Sequence, residues 1–165
     1  MGITYTTLPS PNGWLGGIIL IDVKRELKNA AGRIFLTITY EPATGWVYNN
    51  WLGSQCLASV QQGADASLEV VADNESSQLL NDNRLVAGPW SQATEWLVTH
   101  WVPRALTAGL THFAHITSPE PLARLSAENL HHRIRGAFQM QIFNKKIQAE
   151  EWLQQAQAEL IVAKR

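Results

Sequence analysis

The hydrophobic period of this chain changes once, and that change restricts the fold more than any other feature. From Arg33 to Tyr40 the period is two, with Ile34, Leu36, Ile38 and Tyr40 alternating with Phe35, Thr37 and Thr39, as in a half-buried strand. From Ser54 it becomes 3.6, and Leu57, Val60, Ala64, Leu68 and Val71 fall on one helical stripe. A chain that opens in strands and then alternates helix with strand must build a sheet with parallel pairs and right-handed crossovers.

The remaining elements follow from local signals. Ile18 to Val23 reads as a first strand, turned back through Asn29-Ala30-Ala31-Gly32. Glu41-Pro42-Ala43-Thr44-Gly45 is a second turn, leading into the aromatic strand Trp46 to Trp51. These three strands form an antiparallel meander, with residues 1–16 as an extended arm. Ser54 is placed to cap the first helix and Asp73-Asn74 to end it. Ser77 to Asn81 reads as a buried parallel strand, and the stretch from Asn81 to Ser91 as a polar loop. Ser91 is placed to cap a helix carrying Trp96, Leu97, Val98, Trp101, Ala105 and Leu106, kinked by Pro103 and closed by Gly109. Thr111 to Thr117 is a strand. A helical stretch begins at Ser118-Pro119 and resumes from Ser126 to about Ile134. Phe138, Met140 and Ile142 alternate with Gln139 and Gln141 in an edge strand. Asn144 then precedes a helix with Ala149, Trp152, Leu153, Ala156 and Leu160 on its stripe. The expectation is one α/β domain over residues 1–165, a mixed sheet with helices mainly on one face.

Composition narrows the function classes. Of 165 residues, 45% are hydrophobic and 16% charged, which excludes disorder as the main state. Lys plus Arg total 13 against 14 Asp plus Glu, so no excess of positive charge supports a nucleic-acid track. The lone Cys56 makes no intrachain disulfide and fits a reducing cytoplasm. The apolar stretch from Trp14 to Val23 falls short of the ~20 residues of a membrane span and lacks the basic start of a signal peptide.

The strongest candidate site is the stretch Asn81, Asp82, Asn83 and Arg84, running through Gly88-Pro89-Trp90 to Ser91. It follows a strand's carboxyl end and precedes a helix, the place where open α/β sheets bind ligands. A carboxylate, amides and a guanidinium there suit a protein partner. Trp96 and Trp101 diverge by about 140° around a helix, so they face different neighbours, and an indole lining a pocket with Trp46 or Trp51 points to the alternative of a small apolar ligand. His112 and His115 sit on opposite faces of their strand, and adjacent His131 and His132 diverge on a helix. No metal set emerges from them, and no cofactor is expected. Ser54 and Ser91 lack a Gly-x-Ser-x-Gly elbow, and Asn12-Gly13-Trp14-Leu15-Gly16-Gly17 lacks a phosphate-loop lysine. An enzyme would need Asp82 and Arg84 to meet His100 or His115 in one pocket. The expectation is a non-enzymatic cytoplasmic binding module, with homodimerisation possible through an open edge at Gln139 and Gln141.

Several of these segments resemble bacterial STAS-like proteins, which share the fold of anti-sigma-factor antagonists. The resemblance is carried by Leu79-Leu80-Asn81-Asp82-Asn83-Arg84, by Trp96 with Trp101-Val102-Pro103-Arg104-Ala105, by Ala108-Gly109-Leu110 and by Phe113-Ala114-His115-Ile116. Leu125-Ser126-Ala127-Glu128, Phe143 and Trp152-Leu153 extend it, so that it covers roughly Arg33 to Gln155. It implies a regulatory role. In members of that kind a serine or threonine at a helix start is phosphorylated and switches binding to a kinase partner. Ser91 is nearest by position, although Gly88-Pro89-Trp90 replaces the short junction of those proteins. The related CRAL-TRIO lipid-transfer domains imply an apolar ligand instead.

Overall fold

A computed structural model describes residues 23–163. Six strands form one sheet in sequential order: β1 (Val23–Lys28), β2 (Ile34–Tyr40), β3 (Val47–Ser54), β4 (Gln78–Ala87), β5 (His112–Ile116) and β6 (Gln139–Phe143). The first two pairings are antiparallel and the last three parallel, the mixed sheet that the change of period requires. Four helical segments follow β3 to β6 in turn: α1 (Leu57–Asp73), α2 (residues 91–107), α3 (Pro121–Ile134) and α4 (Lys146–Ala163).

Three crossovers stepping in the same direction along the sheet put their helices on one face. There α1, α2 and α3 cover the larger core, which includes Leu36, Ile38, Val47, Val71, Leu79, Trp101 and Phe113. The last helix, α4, returns across the opposite face over Trp46, Leu80, Ala114, Ile116 and Phe143. Helices therefore lie mainly, but not wholly, on one side. No described helix is long and apolar enough to cross a membrane.

Several boundaries differ from the sequence expectation, each for a local reason. The first described strand is Val23–Lys28, and the expected strand at residues 18–22, like the arm at 1–16, lies outside the described residues. The turn is as expected: Asn29 Oδ1 accepts from the backbone N–H groups of Ala31 and Arg33 at 3.0 Å each, and Gly32 takes φ 75°. Cys56, not Ser54, caps α1, because β3 runs on to Ser54. The Cys56 thiol accepts from Ser59 N–H, and the Ser59 hydroxyl accepts from Cys56 N–H, a reciprocal capping box.

Ser91 makes no side-chain cap; it opens a short 3-10 turn at the start of α2. Pro103 is accommodated by widening: Leu97–Trp101 form a π-helical turn in which Val102 N–H reaches Leu97 C=O. The break expected between Pro119 and Ser126 is absent. Pro121 occupies the first turn of a continuous α3, where a missing N–H costs nothing.

Candidate functional site

The largest correction concerns Asn81 to Arg84. These residues are not a loop; they lie inside β4, an interior strand of the parallel part of the sheet. Asn and Asp are poor strand formers, and they are held here by lateral partners. Asn49 of β3, Asn81 of β4 and His115 of β5 are direct neighbours across the sheet, so their polar side chains form one row on the face beneath α1, α2 and α3. Only Gly88-Pro89-Trp90 remains as connection, secured by Gly88 N–H donating to Glu120 and Trp90 N–H to the Ser126 hydroxyl.

Opposite Trp51 the register slips, with Asn50 facing Asp82 but Leu52 facing Leu85. The extra residue is a bulge in β4 at Asn83 and Arg84. It leaves Asn81 and Asn83 on the helix-covered face and brings Val86 back to that core.

The sequence-predicted site residues thus divide. Asn81, Asn83 and Trp90 line a cavity of about 60 Å³ together with Asn49, Trp51 and His115. Asp82 and Arg84 lie on the opposite face, where Arg84 grips the buried carboxylate through Nε and a terminal nitrogen at 3.0 and 2.7 Å. Tyr48 Oη donates to the same carboxylate at 2.8 Å. Burial pushes the Tyr48 phenol up to about 12, helped by the negative neighbour. For Asp82 burial acts upward, but the hydrogen bonds from Arg84 and Tyr48 outweigh it and hold the carboxyl below its usual range. Ser91 is exposed. His100 stacks on Trp96 at the surface, with ring centroids 6.2 Å apart. The Asp82, Arg84 and His115 constellation is therefore split between two faces of the sheet and does not converge.

The cavity's hydrogen bonds fix each group's orientation. An indole N–H only donates, so Trp51 Nε1, 2.8 Å from Asn81, must face the amide oxygen. The Asn81 amide nitrogen then donates to Asn83 Oδ1 at 3.0 Å and to His115 Nδ1 at 3.2 Å. His115 Nδ1 is consequently an acceptor, and the ring's single proton sits on Nε2. Burial pushes the imidazole down to about 4, against the weaker upward pull of Asp82, so the ring is neutral near pH 7. Asn49 turns its nitrogen toward the Asn81 oxygen and donates to the Ser67 hydroxyl at 2.8 Å.

Three lining side chains are left with a buried polar atom that has no partner: Asn49 Oδ1, Trp90 Nε1 and His115 Nε2. All three residues are at most 5% exposed. An unmatched buried polar group costs roughly 1–3 kcal/mol, which a water or small polar molecule brought against these atoms would offset. The other walls are Gln55 before α1, Val60, Ala64 and Ser67 of α1, Leu97 and Trp101 of α2, Leu130 of α3, and Leu79 and Phe113 of the sheet. No lining residue carries a formal charge at pH 7.

Sequence reasoning foresaw a tryptophan-lined pocket but not Asn49 or Ser67 as its members. Trp46, one of the indoles considered, packs on the α4 face instead. Among the described residues no group of His, Cys, Asp and Glu is placed to hold a metal. Comparison with protein-family models, with curated proteins and with solved structures finds no match.

Proposed function

We propose that this chain is a non-enzymatic binding module, of STAS-like type and acting in the cytoplasm, that holds a small uncharged molecule in the cavity between the sheet and its three covering helices. The observation that carries this reading is a mostly apolar cavity set with uncharged polar side chains, Asn49, Asn81, Asn83 and His115 among them, in which three lining residues hold a buried polar atom without a partner. Ligand sites are concave and mostly apolar with a few placed polar groups, and these features coincide here. The resemblance noted in the sequence is supported by the meander followed by alternating helices and strands. The exposed, free Cys56 fits a reducing compartment. Capture of a protein partner through residues 81–91 is the weaker reading, since Asn81, Asp82, Asn83 and Trp90 are buried and only Arg84, Leu85, Pro89 and Ser91 are open to contact.

The test is thermal stabilisation with tryptophan fluorescence, titrating acetamide, acetone and ethanol against acetate and methylammonium. Stabilisation by at least one uncharged probe together with a change in emission supports the reading. No response to any uncharged probe, or an equal response to acetate and methylammonium, overturns it.

A further inference from the structure

The two edges of the sheet are built differently. β1 carries Lys24, Arg25, Glu26 and Lys28 and shifts register between Leu27 and Lys28, the charges and irregularity that keep an edge from pairing. β6, Gln139-Met140-Gln141-Ile142-Phe143, has no charge, no proline and an unbroken register. Pairing β6 with itself therefore sets no like charges opposite one another. We propose that β6 is a self-association edge, at which two copies of this chain join antiparallel about a two-fold axis through Gln141 and continue one sheet into the next.

The backbone shows which groups are open. Gln139 N–H donates to Thr111 C=O and Phe143 C=O accepts from Thr117 N–H, both at 2.9 Å. Gln139, Gln141 and Phe143 thus turn their peptide groups toward β5, and Met140 and Ile142 turn theirs outward. His131 Nε2 lies 3.0 Å from the Met140 carbonyl, which keeps a second lone pair to offer. Met140 N–H and both peptide groups of Ile142 have no partner among the described residues.

An axis at Gln141 aligns the whole strand with its copy. Met140 then faces Ile142 of the second copy as a hydrogen-bonded pair: each Met140 N–H meets an Ile142 carbonyl, and each Ile142 N–H meets a Met140 carbonyl. The side chains match as well. Met140 and Ile142 both pack against the larger core and meet as an apolar pair on that face. The exposed Gln141 meets its own copy on the other face with Cα atoms about 4.5 Å apart. Two amides there supply donor and acceptor to each other.

Sedimentation equilibrium of the whole chain at low salt, over a wide range of concentration, tests the proposal, with circular dichroism to establish that each variant is folded. The parent should form a dimer. Gln141→Lys and Gln141→Glu alter an exposed side chain, so both should fold, and each places like charges across the axis and should weaken the dimer about fivefold. Mixing the two sets Lys against Glu and should restore association to at least the parent's strength. Ile142→Pro removes an N–H that no group of its own chain uses and should weaken the dimer at least tenfold. A parent that stays monomeric at every concentration overturns the proposal. A dimer that neither charge weakens, or that mixing does not restore, is held by another surface and overturns it too.

Discussion

Gly63 sits in the middle of α1, where glycine costs about 1 kcal/mol relative to alanine. Replacing it would normally stabilise the helix. Here a Cβ would stand 2.3 Å from Trp51 Cη2, 2.7 Å from Leu36 Cδ2 and 2.8 Å from Trp51 Cζ3, where carbon contacts settle near 3.5–4.0 Å. The Leu36 methyl can rotate away. The indole cannot move freely, because its N–H is committed to Asn81 Oδ1 at 2.8 Å. Overpacking of this kind costs about 1–3 kcal/mol, and loosening the indole hydrogen bond adds about 1 kcal/mol. After the helix-propensity gain, Gly63→Ala should be destabilising by about 1–3 kcal/mol. For a chain of this length that lowers the thermal midpoint by roughly 3–10 °C. Urea unfolding followed by circular dichroism measures this without relying on the displaced tryptophan. In a Trp51→Phe background, which lacks both clashing indole carbons, the same substitution should become neutral or stabilising. A Gly63→Ala protein as stable as the parent, or an equal loss in both backgrounds, would refute the close approach of α1 to Trp51.

Two further outcomes follow from the buried ionisable groups. His115 titrates near 4 when folded and near 6.5 when unfolded, so the unfolded chain binds the extra proton first. Its contribution to stability is therefore intact above about pH 6.5 and is lost as the pH falls toward 4, by roughly 3 kcal/mol in all. Urea midpoints between pH 7 and 4 should show that slope in the parent and a flatter profile in His115→Gln; parallel profiles would contradict it. Asp82 behaves in a lower window, because its folded carboxyl is held below the usual range and its contribution is lost only as the pH falls below about 4. Arg84→Ala leaves that carboxylate buried with fewer partners and should cost about 1–2 kcal/mol at pH 7 after allowance for the exposed side of the guanidinium. Adding Asp82→Asn should recover part of the loss, and no recovery would place the effect elsewhere.

The sheet was legible because its outer signals are local. Alternation from Ile34 to Tyr40, the Asn29 turn and the helical stripe through Val60, Ala64 and Leu68 each reside in a short window. The candidate site was not legible in the same way. Asn81-Asp82-Asn83 has the composition of a turn, and only pairing with Asn49 on one side and His115 on the other makes it a strand. That register belongs to three distant segments. The bulge at Asn83 and Arg84 hid the strand's continuation further by breaking its alternation. One signal was present: the strand Trp46 to Trp51 carries Asn49 and Asn50 among aromatics, an unusual burden of amides for a buried strand and a hint that a neighbour answers them. Ser126 was equally invisible as the acceptor for Trp90 N–H, because it is in reach only once α3 packs beside the β4–α2 connection.

A neutral His115 with its proton on Nε2 underlies the uncharged character of the cavity. Long-range proton–nitrogen correlation of the imidazole between pH 5 and 8 reads that state directly. The expected spectrum has a protonated Nε2, an unprotonated Nδ1 and no titration in this range. A proton on Nδ1, or a midpoint near 6.5, would contradict it.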